Sequence, residues 1–160
     1  LQHLNPQNRE KALAQMFRCL KPGGILYVID IDGFLYNLFP QNEDVQKFLG
    51  FVEGSDVIDL KIGRKLPFLF RAAGFSNTTW KVETIECRDS WLKDEQYFLT
   101  QRLENAMPFF EKIVGDKKTA QRLVNQYLAA LDVPGVVLFY NKFIVTGQKL
   151  GSQKTLSVVK

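Results

Sequence analysis

No run of 18 or more apolar residues occurs in this sequence, so no membrane-spanning helix and no membrane partner are expected. Cysteine is nearly missing: Cys19 and Cys87 stand alone, with no C-x-x-C pair, and His3 is the single histidine. That stock is too small for a zinc site, and no metal is expected. Reduced thiols and a cytoplasmic setting are the expectation for two isolated cysteines. No G-x-G occurs anywhere, which leaves no glycine turn to hold a dinucleotide. The net charge is only +4, and no basic stripe interleaved with aromatics is present, so nucleic acid is not an expected partner. Leu1-Gln2-His3-Leu4-Asn5-Pro6 has no Met, no basic segment and no apolar stretch, so it is neither a start nor a signal peptide. The chain is expected to begin inside a larger protein.

The 160 residues are 46% apolar, include thirteen phenylalanines, and suffice for one domain with a substantial core. Asn5-Pro6 opens a helix, with Asn as cap and Pro at the first helical position. Ala12, Leu13, Met16, Phe17 and Leu20 recur at helical spacing, and Lys21-Pro22-Gly23-Gly24 stops the run. Ile25 to Ile31 is an almost unbroken apolar strand of the kind buried on both faces of a parallel sheet. Gly33 to Gly54 is irregular, with a short helix over Glu43 to Val52. A helix is expected over Leu60 to Phe75, starting near Lys65 or kinking at Pro67, and a half-buried strand over Thr78 to Cys87. Two helices follow, about Lys93 to Val114, interrupted near Pro108, and Asp116 to Leu131. Val136 to Thr146 forms a last strand, with a bend expected at Asn141-Lys142, and the polar end, 150–160, is expected to be disordered. The order of elements argues for an α/β fold around a small mixed sheet.

Leu1 to Gly33 resembles the segment that follows the fourth strand of class I, S-adenosylmethionine-dependent methyltransferases. The family's "R-x-L-K-P-G-G" ending is matched by Arg18, Leu20, Lys21, Pro22, Gly23 and Gly24, and its "HL" turn by His3 and Leu4. Ala73-Gly74-Phe75 resembles the "A-G-F" that enters the next strand, and Phe139 to Lys149 the closing antiparallel strand. The resemblance implies the C-terminal half of a Rossmann-like methyltransferase fold over residues 1–149, with a mixed sheet of three strands, the last antiparallel between its neighbours. It also implies a helical pair inserted at about 93–131. The activity implied is methyl transfer from S-adenosylmethionine to a small or medium-sized acceptor, as part of a larger enzyme. The family's glycine turn and ribose-binding carboxylate precede this segment and are not in the chain, so the chain alone is expected to be inactive. The alternative is a non-catalytic fragment or interaction module.

The resemblance places Gln2, His3 and Leu4 beyond the fourth strand, on the cofactor side, with His3 as candidate base. Asp30 and Asp32 sit at the carboxyl end of the fifth strand, where α/β sheets take their ligands. With Tyr36 and Phe39 they are the candidate substrate residues, and Phe34 and Phe51 are further candidates for an apolar pocket. Tyr97, Phe98, Phe109 and Phe110 on the inserted helices are candidates to cover it, while Arg64 and Arg71 read as solvated. A strand that has lost its neighbour has a bare edge, so a homodimer or pairing with the absent N-terminal half is expected.

Overall fold

A computed structural model of the chain describes residues 1–55 and 57–151. Helix α1 (Pro6–Cys19) starts as its sequence dictates: the Asn5 side chain accepts from the Asn8 amide at 2.9 Å, and Pro6 occupies the first turn. The turn at Gly23-Gly24 delivers the chain into β1 (Ile25–Asp32). A tight turn and β2 (Leu38–Phe39) follow, then α2 (Glu43–Glu53), capped by the Asn42 side chain on the Val45 amide at 2.9 Å.

A 3-10 turn (Gly63–Lys65) leads into α3 (Leu66–Ala72), with Pro67 in the first helical turn, so of the two expectations for this helix the start near Lys65 holds and the kink does not. Next come β3 (Ser76–Cys87), α4 (Asp89–Asn105), α5 (Met107–Val114), α6 (Lys117–Ala130) and β4 (Val137–Gln148). Three helices therefore stand where a pair was expected. β4 runs through Asn141-Lys142 without a break, both residues being paired to β1 and to β3. The polar tail lies, from residue 152 on, outside the described residues.

The sheet is open, and every strand pair among the described residues is antiparallel. β4 pairs antiparallel with β1, from Ile25 opposite Gln148 to Asp32 opposite Asn141. It also pairs antiparallel with β3, from Thr79 opposite Thr146 to Cys87 opposite Leu138. β1 and β3 thus run parallel to one another with β4 between them, the arrangement expected of the last strand. β2 adds Leu38 and Phe39 opposite Leu138 and Val137. Among the described residues no strand pairs with the other edge of β1.

Two cores form. One joins Leu13 of α1, Leu66 and Phe70 of α3, Phe75 just before β3, and Val145 of β4. The other joins Val45, Phe48 and Val52 of α2 to Leu99, Leu103, Phe110, Leu123 and Tyr127 of α4 to α6. The expectation that β1 is buried on both faces is corrected here. Leu26 and Val28 face the first core, but Ile25, Tyr27 and Ile29 are 62%, 56% and 52% exposed. Period-2 alternation sends these three to the opposite face, which no described helix covers.

Candidate functional site

The turn after β1 is shaped by its backbone. Gly33 has φ 80° and Leu35 φ 69°, a left-handed conformation unusual for a leucine. Leu35 is held in it by a buried hydrogen bond, the Tyr127 hydroxyl of α6 donating to the Leu35 carbonyl at 3.0 Å. Burial pushes the Tyr127 phenol upward, so it stays protonated as the donor. The turn sets Phe34 and Leu35 as one wall of a cavity of about 610 Å³ at the carboxyl end of β1. α4 and α5 form the opposite wall through Leu99, Arg102, Leu103, Ala106, Phe109 and Phe110, and Gln2 and His3 contribute at one side. Clefts of this size take small ligands, and a mostly apolar lining with few polar groups is typical of them.

The Leu1–Leu4 turn is anchored from outside the cavity. Arg9, buried on α1, donates to the Leu4 carbonyl at 2.9 Å and to Asp59 at 3.0 Å, while the Asp59 amide donates to the Gln2 carbonyl at 2.8 Å. Lys65 also reaches Asp59 at 2.8 Å. Burial works to raise the Asp59 carboxyl, but the Lys65 hydrogen bond, its charge, the Lys61 amide and Arg9 outweigh it and hold the carboxyl below its usual range. A depressed folded-state pKa contributes stability above the carboxylate range that is lost as pH falls through it. This clamp therefore loosens in acid.

The residues singled out in the sequence divide. Gln2 and His3 line the cavity; Gln2 Nε2 lies 3.0 Å from His3 Nε2, and Gln2 Oε1 is buried without a hydrogen-bond partner. Leu4 touches the site only through the carbonyl that Arg9 holds. Asp30 accepts from the Leu1 nitrogen at 2.9 Å and from the Ile31 amide, and does not line the cavity. Asp32 is 1% exposed and taken up by Arg64, whose Nε donates at 2.9 Å, Nη2 at 2.5 Å and backbone amide at 2.9 Å. Arg64 is thus an ion-pair partner, against the expectation that it is merely solvated. A Cβ at Gly63 would come within 2.9 Å of the Asp32 Cβ and 2.7 Å of the Phe143 ring, so this junction has room only for glycine.

Tyr36 lies in a separate polar cleft with Arg9, Glu53, Asp59, Lys61 and Lys65, the Lys61 ammonium 4.4 Å from its ring centroid. Burial, then Glu53 and Asp59, raise its phenol. Phe39 is 70% exposed and outside the cavity. Phe34, Phe109 and Phe110 are among the aromatic lining; Phe51, Tyr97 and Phe98 are not. Arg9, Asp59 and Arg102 were not singled out. Arg9 sits four residues before Leu13 and seven before Met16, on the apolar stripe of α1, and Arg102 sits between Leu99 and Ala106 on that of α4. A cation at a stripe position was the available signal.

No group of three or more potential metal ligands occurs among the described residues, nor is any described helix long and apolar enough to cross a membrane. No family model matches the chain, and no curated protein matches it. Among solved structures it is similar to Haemonchus contortus phosphoethanolamine N-methyltransferase 2 in complex with phosphomonomethylethanolamine and S-adenosylhomocysteine: 14% identity, TM-score 0.38, 94% of this chain and 32% of that one. It is similar to a cyclopropane synthase from Mycobacterium tuberculosis at 13% identity and TM-score 0.43, over 91% of this chain and 52% of that one. It is also similar to a coclaurine N-methyltransferase bound to N-methylheliamine and S-adenosylhomocysteine at 14% identity and TM-score 0.38, over 91% of this chain and 44% of that one. The chain spans between about a third and a half of the length of these proteins.

Proposed function

We propose that the chain is the C-terminal part of a class I methyltransferase domain that moves a methyl group from S-adenosylmethionine to a small or medium-sized acceptor, in a cytoplasmic setting. The observation that carries this reading is the cavity at the carboxyl end of β1, the side on which α/β sheets take their ligands, with the Gln2-His3 turn in its wall. The "R-x-L-K-P-G-G" ending of α1 and the antiparallel β4 between β1 and β3 support it.

The residues present do not by themselves fit the cofactor. His3 is exposed, the Leu4 carbonyl is engaged by Arg9, and Gln2 Oε1 is a buried acceptor with no partner among the described residues. The glycine turn and the ribose carboxylate belong to a segment outside these 160 residues. That segment also supplies a strand along the free edge of β1 and a helix over Ile25, Tyr27 and Ile29. What this chain supplies is the acceptor side. The cavity orients the acceptor and excludes water, and His3 at its wall is the residue placed to take a proton from the acceptor's nucleophile. Asp32, locked to Arg64, positions the junction of β1 and α3 and stays away from the acceptor.

The second reading, an interaction module without catalysis, is favoured by the exposed row Ile25, Tyr27 and Ile29 beside an open strand edge. Calorimetry with S-adenosylhomocysteine on a longer form that carries a strand and glycine turn ahead of Leu1 separates the two. Micromolar binding is expected. A folded longer form that gives no heat contradicts methyl transfer and leaves the interaction module.

A further inference from the structure

The cavity wall contributed by α4 follows one stripe, Leu99, Arg102, Leu103 and Ala106, at spacings of three, one and three. Three of these four are apolar, and the fourth is an arginine. Apart from His3, Arg102 is the one ionisable side chain in the described lining, and no carboxylate is among the described lining residues. Its guanidinium is placed from several sides: its carbon lies 5.5 Å from the Phe34 ring centroid and 5.9 Å from that of Phe98, and Nη1 meets Glu95 Oε1 at 3.3 Å. Glu95 occupies one nitrogen at the long end of hydrogen-bonding distance. A guanidinium has five N–H donors in a fork suited to carboxylate or phosphate, and most of them have no partner among the described residues. The side chain is 57% exposed, which puts the charge at the cavity's mouth with the apolar volume behind it.

From this arrangement we infer that the cavity takes an anionic amphiphile: an apolar body fills the space among Phe34, Leu99, Leu103 and Phe110, and a carboxylate or similar anion is met by Arg102. The inference rests on the proposed function only in naming this ligand the methyl acceptor; the recognition itself needs no cofactor. The nearby Phe34 and Phe98 rings favour a cation at this position. The acceptor's reacting group then points away from Arg102, toward Gln2 and His3. Gln2 Oε1, buried and unpartnered, is available there to receive an N–H or O–H from it.

Calorimetric titration of the 160-residue chain with octanoate and with octan-1-ol tests this directly. The two probes share a tail and differ in charge. Octanoate is expected to bind about 5-fold more tightly, a modest preference because the guanidinium is half hydrated. Arg102→Gln should bring octanoate to the level of octan-1-ol and leave octan-1-ol unchanged. Ala106→Phe fills the cavity and should remove both, and Ala106→Leu, a smaller change, should weaken both if the phenylalanine variant does not fold. Ile29→Lys, on the exposed face of β1, should alter neither. Equal binding of the two probes, a preference that survives Arg102→Gln, binding that survives a folded Ala106→Phe, or no binding of either probe overturns the inference. The methyltransferase reading fails separately, in the S-adenosylhomocysteine titration of the longer form.

Discussion

The helical region and the sheet region solve the same burial problem differently. α2, α4, α5 and α6 close around Phe48, Leu99, Leu123 and Tyr127, although Trp91, Tyr97 and Phe98 of α4 remain exposed. The sheet is covered on one face only, by α1 and α3 over Leu13, Phe70 and Val145. On its other face the three strands are unlike each other. β3 and β4 present Thr79, Lys81, Glu83, Lys142 and Thr146, tied by the Thr79–Thr146 hydrogen bond at 2.7 Å and by Glu83 between Lys81 and Lys142. Those two ammonium groups, Lys142 first, hold the Glu83 carboxyl down at about 2. β1 presents Ile25, Tyr27 and Ile29 instead, beside the free edge. The helical region carries a packed core; on the sheet's uncovered face β3 and β4 are polar and β1 is apolar, and among the described residues the outer edges of both β1 and β3 are unpaired.

Breaking the packed core should cost most. Phe48→Ala removes a ring 1% exposed that packs on Phe110 and Tyr127 with centroids 5.1 and 5.4 Å away, and is expected to lower unfolding stability by about 3–5 kcal/mol. Denaturant titration of the two proteins measures it, and a loss under 1 kcal/mol would show that this core is not close-packed. The sheet's covered side is tested by Asp32→Asn. The variant keeps the shape but loses the charge that Arg64 grips three times. About 2 kcal/mol is expected, less than for a fully buried pair, since Arg64 can rehydrate. Rescue by the double variant Asp32→Asn with Arg64→Gln would locate the cost in the unpaired guanidinium.

The smallest effect belongs to the apolar face of β1. Ile29→Lys should leave monomer stability within about 0.5 kcal/mol, because the side chain has no core to leave. It should reduce self-association of the chain in sedimentation, because a lysine beside an open edge discourages strand pairing. A large stability loss would mean that Ile29 is covered within this chain after all.

The same division governs what the sequence discloses. α1, its LKPGG stop and β1 are legible because cap, stripe, stop and strand lie next to one another in the chain. The antiparallel place of β4 came through the resemblance and matches the observed pairing. The uncovered face of β1 was not legible: an unbroken apolar run states that both faces want cover, without saying whether the cover lies in the same 160 residues. Gln2 and His3, which the resemblance put on the cofactor side, line the cavity. Asp30 and Asp32 share the carboxyl end of β1 with that cavity, yet their side chains are turned to Leu1 and Arg64, partners 29 and 32 residues away. Sequence position gives the end of a strand but not which side chain is already engaged. Arg9 and Arg102 carried a signal that was readable, a charge inside an apolar stripe, and both proved to be structural or cavity-facing cations.

The apolar face of β1 also frames the central claim, that the residues needed to hold S-adenosylmethionine lie outside this chain. Calorimetric titration of the 160-residue chain with S-adenosylmethionine tests it most directly. No binding is expected up to millimolar ligand, since no G-x-G turn occurs in these 160 residues to receive it. Micromolar binding to the chain alone would contradict it and would place a complete cofactor site within these residues.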